Sequence, residues 1–362
     1  MKVRTKFIVR VLLLKLVNLL RALLKIYKLK YKVVIIGSQF ENSIGIARNF
    51  ADGVYLDDGI KYYLLSDLRV KHGVYKLKKW SLKHVLLAVI ADAYIVSHKV
   101  ADVFIVKPAG VFVINLWHGV PYKPIGFYSE VEIQWINKQI RLNGKCEYDN
   151  WDLLISYSEL HQNLMKLITK ERCNSYKVLG NPNVNVLKYS KLKKRRDKVT
   201  SILYCPTFRN KGELNQHGIE DVIRLSEELG QEYKFILKLH PLLKILPAKL
   251  PENVVFYNGD VYDILIAADI VITDYSSLLF DTISLKGKVL IYSYDFNNYT
   301  KIVGKPLLDV KKIAGAHVSS SLLSLKKDVL NYEALTVDLE YGNEYQRQFD
   351  FELFNRVINE KV

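Results

Sequence analysis

Cysteine is scarce in this 362-residue chain. The three present, Cys146, Cys173 and Cys205, form no C-x-x-C pair and no zinc-type spacing. A disulfide framework is therefore not expected, and a reducing compartment fits best. No uncharged apolar run reaches the roughly 18–20 residues that span a bilayer, which excludes a multi-pass membrane protein. There is no glycine-rich P-loop, no G-x-G-x-x-G and no G-x-S-x-G, so the common signatures of nucleoside triphosphatases, dinucleotide enzymes and serine hydrolases are missing. The close carboxylate pairs Asp57-Asp58 and Asp260/Asp263 lack an accompanying histidine cluster and read as solvated turn residues rather than metal ligands. Neither an internal repeat nor a low-complexity tail is present.

Acidic residues are also few. Lys and Arg number 53 against 37 Asp and Glu, giving a formal charge of +16. The first 32 residues hold ten basic side chains and no acidic one, Lys188–Lys198 forms a second basic cluster, and Lys71–Lys83 a third, interleaved with Tyr75 and Trp80. Such surface attracts anionic lipid, nucleic acid or phosphorylated polymers, and charge alone does not choose among them. On a helical projection Lys6, Arg10, Arg21, Lys25, Lys28 and Lys32 share one face, with Leu12, Leu16, Leu19, Leu20, Leu23 and Leu24 over much of the rest. Lys15 interrupts the apolar stretch and no small-x-small site follows, which argues against a cleaved signal peptide. The pattern predicts an amphipathic helix over residues 1–30 lying on an anionic membrane surface. The alternative is a first helix packed on the core with its lysines solvated.

Hydrophobic residues at 49% and charged residues at 25% describe an ordinary globular chain, long enough for two domains. From Tyr31 onward, short β-branched strands alternate with helices. Lys32–Ser38, Ala93–His98, Val111–Gly119 and Trp151–Ser158 read as strands of a first parallel sheet, with helices around 81–91 and 159–170. After the basic tract a second series follows: Ser201–Phe208, Tyr233–His240, Asn253–Gly259, Ala268–Asp274 and Lys288–Asp295. The expectation is α/β, two Rossmann-like domains facing a cleft. The first domain spans residues 31–187, a basic linker 188–198, the second domain 199–341, and a C-terminal helix 342–362.

Ligands of open α/β sheets bind beyond the carboxyl ends of strands, and four segments place polar groups there. In Asn115–Gly126 a strand runs into Trp117-His118-Gly119, and Pro121 and Pro124 delay any helix, so His118 sits on a stiff loop beside Lys123. An imidazole so placed is a candidate general base, or merely satisfies loop carbonyls. A second apolar strand ends in His240-Pro241. In Ala268–Asp295 a strand ends at Asp274, Ser276 and Ser277 fill the turn, and a helix starts near Leu278. One serine suits a helix cap, and both together suit a diphosphate. Finally, Tyr204–Asn210 sets Thr207 and Arg209 at a strand end, with Arg209 able to chelate phosphate or to make a domain–domain salt bridge.

Taken in order, the segments WHGVPYK-IG, NWDLLISYSE, VLGNP, LYCPTFR, LKLHP and ITDYSSLLFD resemble the CDP-glycerol glycerophosphotransferase family of teichoic acid primases, polymerases and related capsule enzymes, over roughly residues 85–300. The resemblance implies a glycosyltransferase-B-like fold with monotopic membrane attachment at the cytoplasmic face. It implies transfer of a polyol phosphate from a CDP-polyol to an undecaprenyl-diphosphate-linked or polymeric acceptor, with release of CMP, no cofactor and no metal. By motif, His118 becomes the base, His240, Ser276 and Ser277 contact the donor diphosphate with Asp274, Thr207 and Arg209 assisting, and Trp117 and Lys123 lie on the acceptor side. Two departures stand out: Asn183-Val184-Asn185 where the family commonly has Arg-Asn-Asp, and Tyr299–Asp309 in place of an aromatic stretch. The competing expectations are a nucleotide-sugar glycosyltransferase of the same fold and a non-catalytic basic protein that binds nucleic acid or membrane; the paired histidine strand ends weigh against the last, and no nucleic-acid partner is expected.

Overall fold

The computed structural model describes residues 2–27, 29–39, 45–66, 70–185, 199–207, 209, 212–239, 249–286, 288–313, 315–335 and 347–362. His240 and the Lys188–Lys198 tract lie outside the described residues. The chain divides into two compact units, one of residues 1–118, 125–185 and 348–362 and one of residues 119–124 and 186–347.

The first unit opens with helix α1 (Lys2–Leu24), then β1 (Lys32–Ile36), α2 (Gly45–Gly53), β2 (Ile60–Leu65), β3 (Tyr75–Leu77), α3 (Leu82–Ile90), β4 (Ala93–Val96), β5 (Phe112–Asn115), α4 (Glu130–Asn143), β6 (Leu153–Ser156), α5 (Glu159–Thr169) and β7 (Tyr176–Val178). All seven strands are parallel, in the order β3-β2-β1-β4-β5-β6-β7. Helices on both faces bury the central strands, which is why Val33–Ile36, Ala93–Val96 and Leu153–Ser156 read as unbroken apolar runs rather than alternating ones. Strand order reverses between β1 and β4. In open α/β sheets such a reversal is the usual place for a ligand.

The second unit repeats the logic: β8 (Thr200–Cys205), α6 (Gly212–Leu229), β9 (Tyr233–Leu237), β10 (Val254–Phe256), α7 (Val261–Ala267), β11 (Ile270–Thr273), α8 (Leu278–Lys286), β12 (Val289–Tyr292), α9 (Phe296–Val303), β13 (Ala316–Ser319) and α10 (Leu322–Leu330). Its six parallel strands run β10-β9-β8-β11-β12-β13, reversing between β8 and β11. Ile202, Tyr204, Phe235, Leu237, Ile270, Ile272, Leu290 and Tyr292 form the strand side of its core, against Ile219, Val222 and Leu225 of α6.

The units depart from a simple two-block division in two places. Residues 119–124 of the WHG-P-K segment belong to the second unit. The last helix, α11 (Phe351–Lys361), returns to the first, where Phe349, Phe351 and Phe354 surround Phe50 with ring centroids 4.8–5.7 Å away. Asn183 and Asn185 explain the departure at 183–185 structurally. Asn183 accepts from Asn49 at 2.9 Å, and Asn185 exchanges two hydrogen bonds with the Phe349 backbone at 2.7 and 3.2 Å. They tie α2 and the returning C-terminal segment to the end of β7.

Helix α1 covers Lys2–Leu24, shorter than the amphipathic helix expected over residues 1–30, and its faces are used differently. Arg21, placed by periodicity on a solvent- or membrane-facing basic side, is buried. Its guanidinium donates to the carbonyls of Val89 and Ala91 at 2.7 Å each, while Lys25 pairs with Asp92 at 2.6 Å. The physical reason is the C-terminus of α3, whose last carbonyls need donors and favour positive charge. Leu12, Leu16, Leu19, Leu20 and Leu23 are left exposed. Among the described residues no helix is long and apolar enough to cross a membrane.

Candidate active site

In the first unit, β5 ends at Asn115, whose buried side chain accepts from the Trp117 N–H at 2.6 Å and donates to the His98 carbonyl at 3.3 Å. Trp117 is thereby held at φ +57°, a conformation costly for a bulky residue, with its ring buried against Trp151. The strained turn leaves His118 exposed at the strand end. His118 Nδ1 lies 3.1 Å from the Ser97 carbonyl. A carbonyl only accepts, so Nδ1 carries the proton and the basic lone pair of the neutral ring is on Nε2.

Sequence reasoning passed over what lies beneath His118. The loop after β4 brings His98 face to face with it, ring centroids 3.7 Å apart and planes within 9°. His98 Nδ1 meets Ser97 Oγ at 2.8 Å, and Asp102 Oδ2 gathers the backbone N–H groups of Ser97, His98 and Lys99 at 3.1, 2.7 and 3.3 Å. Burial, then the neighbouring His118 and Lys99, push the His98 imidazole down to about 2, so it is neutral at physiological pH. Burial raises the Asp102 carboxyl, against the pull of those three N–H donors. Gly37, just past β1, admits this turn: a Cβ there would fall 2.6 Å from the Asp102 carbonyl oxygen. The cluster thus sits at the strand reversal of the first sheet. The only sequence signal for it was a strand ending in Ser-His with an aspartate four residues on.

In the second unit Thr207, Arg209, Asp274, Ser276 and Ser277, the described members of the expected donor-side set, lie at the reversal between β8 and β11. Asp274, fully buried, accepts through Oδ1 from the N–H groups of Thr207 at 2.7 Å and Tyr275 at 2.6 Å. Its other oxygen takes the Arg209 guanidinium at 2.5 Å, and Arg209 also forks onto Asp295 at 3.0 and 3.1 Å. Tyr275, Tyr294 and Tyr299 wall the guanidinium, with Tyr275 stacked on Tyr299 at 3.8 Å. Burial works against the Arg209 charge, but Asp274 and Asp295 more than offset it and raise its pKa. Of the two roles left open for Arg209, the geometry supplies an ion pair, made inside one unit. Asp274 is likewise a buried organiser of the turn. The Tyr299–Asp309 departure supplies one wall of this clamp.

The clamp leaves hydroxyls at the strand ends. Thr207 Oγ1 is buried and has no hydrogen-bond partner among the described residues, a costly state for a hydroxyl unless a ligand completes it. Ser276 Oγ accepts the Leu278 N–H at 3.3 Å at the start of α8, and half-buried Ser277 packs on Gly119. Lys123, expected on the acceptor side, belongs to this unit, where the charges of Asp274 and Arg209 act on it; burial, with Arg209, lowers its pKa against Asp274. Of the other sequence carboxylates, Asp57 accepts from Gly59 and Asp260 from Tyr262, ordinary turn and cap roles.

Residues 55–351 match the CDP-glycerol:poly(glycerophosphate) glycerophosphotransferase family. The chain belongs to that family. It is 26% identical over 329 residues to a teichoic acid glycerol-phosphate primase of Bacillus subtilis, covering 87% of this chain and 81% of that protein. It is 29% identical over 249 residues to a teichoic acid poly(glycerol phosphate) polymerase of the same species, covering 63% of this chain but a third (33%) of the polymerase. A solved structure of the wall teichoic acid polymerase TagF superposes with a TM-score of 0.69 at 19% identity, over 99% of this chain and 98% of that one, which shows the shared glycosyltransferase-B-like fold of two parallel sheets.

Proposed function

We propose that the protein transfers glycerol phosphate, or a related polyol phosphate, from a CDP-polyol to a hydroxyl of a lipid-linked acceptor or growing polymer in teichoic acid or capsule-type synthesis. The observation that carries this reading is the convergence of Thr207, Ser276 and Ser277 on the strand reversal of the second sheet, in a chain of this family. Hydroxyls beside the N-terminus of α8 suit a diphosphate. In the reaction the acceptor oxygen bonds to the phosphorus that carries the polyol, the bond from that phosphorus to the bridging oxygen breaks, and CMP leaves with that oxygen. His118 Nε2 takes the hydroxyl proton. Thr207, Ser276, Ser277 and His240 hold the diphosphate, Lys123 adds positive charge on the same side, Trp117 sets the His118 loop, and Arg209 with Asp274 fixes the frame.

The exposed leucines of α1, with the basic residues near it, support attachment to an anionic membrane surface at the cytoplasmic face, where a lipid-linked acceptor is presented. The deciding experiment measures CMP release from CDP-glycerol and CDP-ribitol against UMP or UDP release from UDP-sugars. CMP release that requires an acceptor supports the reading, and release of uridine nucleotide alone overturns it. His118→Ala is expected to lower turnover at least 10²-fold while CDP-glycerol affinity, by calorimetry, stays within about twofold.

A further inference from the structure

Rotation about the bond to an sp² ring is broad and shallow, so a contact at the edge of an exposed imidazole does not by itself define the ring plane. His118 has the Ser97 carbonyl on Nδ1, which sets one edge of the ring but not its plane. The plane is set by His98. Its ring covers one face of His118 at 3.7 Å, too close for water to enter. His98 is in turn over-determined. Its carbonyl is bonded by Asn115, its N–H by Asp102, and its Nδ1 lies against Ser97 Oγ, which contacts Ser38 and Asp102 at 3.3 Å each.

The charges around the pair also matter. Asp102 Oδ2 is 3.9 Å from His98 Nδ1, Lys99 flanks it in the same turn, and Glu147 accepts the Val100 N–H at 2.7 Å behind it. Two imidazolium rings stacked at this distance would repel strongly, so the pair does not carry two charges. His98 is the more buried ring and His118 the exposed one. Burial disfavours the charged form of His98.

We propose that His98 is the positioning residue of the reaction: a flat stacking plate that holds the His118 ring in one plane and one tautomer, with Nε2 presented as the base. The proposal rests on His118 acting as that base, and its test has an arm independent of activity. In protein labelled with ¹⁵N-histidine, with His118→Ala identifying the His118 signals, the wild type should show a single Nδ1–H tautomer for His118 and ring protons shifted upfield by the stacked ring. His98→Ala should give averaged tautomers and lose that upfield shift. In the CMP-release assay His98→Ala should lower kcat at least tenfold with KM for CDP-glycerol within about twofold, and His98→Phe, which restores a flat ring, should recover kcat to within about threefold of wild type.

Absence of the upfield shift in the wild type overturns the proposal, and that measurement stands even if His98→Ala does not fold. Unchanged His118 signals in a folded His98→Ala overturn it too. So does a His98→Phe variant as impaired as His98→Ala, since the plane alone would then be insufficient. If wild-type protein releases no CMP from any CDP-polyol, the proposed activity falls while the nitrogen and ring-proton shifts still decide the positioning role.

Discussion

Gly119 has φ +136°, and a Cβ there would lie 2.6 Å from Ser277 Oγ. Gly119→Ala is therefore expected to displace Ser277 and weaken CDP-glycerol binding at least fivefold by calorimetry. Arg209 poses the opposite case, a buried charge fully used by its partners. Asp295→Ala leaves the guanidinium half-paired in an aromatic cage and should cost about 3–5 kcal/mol of stability by urea unfolding. His98 carries a pH signature. It takes a proton near pH 6.5 when unfolded but only near pH 2 when folded, so its contribution is complete above pH 6.5 and is lost as pH falls below that value. At pH 5.5 the loss is about 1 kcal/mol. Asp102, raised by burial, acts in the opposite sense at lower pH and is common to both proteins. The melting temperature of His98→Phe should accordingly drop less between pH 7.5 and 5.5 than that of wild type; equal drops would refute the assignment.

At the scale of elements, α1 and α11 do different work. Among the described side chains of α1 the buried ones are Val17 and Arg21, and exposed leucines form an apolar stripe beside basic residues. Replacing Leu12, Leu16 and Leu19 together by Ser removes apolar area worth about 1.5–3 kcal/mol per side chain on full burial. Cosedimentation with phosphatidylglycerol vesicles should fall at least tenfold, with CMP release in detergent preserved. Undiminished sedimentation would move attachment elsewhere on the surface. Helix α11, by contrast, is held through Phe354, fully buried against Phe50 at 4.8 Å. Its loss in Phe354→Ala should cost about 3–5 kcal/mol. Trp80, Trp117, Trp135 and Trp151 are the chain's four tryptophans and all belong to the first unit, so tryptophan fluorescence reads that unfolding transition.

Over the whole molecule, the parallel α/β class was legible because strands buried on both faces must be continuous apolar runs, and those around Lys32–Ile36, Ala93–Val96, Thr200–Cys205 and Ile270–Thr273 could not be anything else. His118 and the Ser276-Ser277 turn were legible too, since glycine, proline and capping residues mark strand ends locally. The short edge strands β3, β7 and β13 went unread, being three or four residues each with partly exposed faces and little hydrophobic signal, and so did the buried strand β2, whose apolar run is broken by Lys61 and two tyrosines. Local sequence thus determined the long apolar strands and which polar residues stand at their ends. What it could not determine were pairings over long separations. Arg209 meets Asp274 and Asp295 across 65 and 86 residues, Arg21 meets α3 across 68 and 70, and Asn185 meets Phe349 across 164. A charged side chain's role is set by which partner desolvates it and which group neutralises it. Both are supplied by distant segments, so only the tertiary structure decided that Arg209 and Arg21 are internal clamps and that His98 lies flat beneath His118.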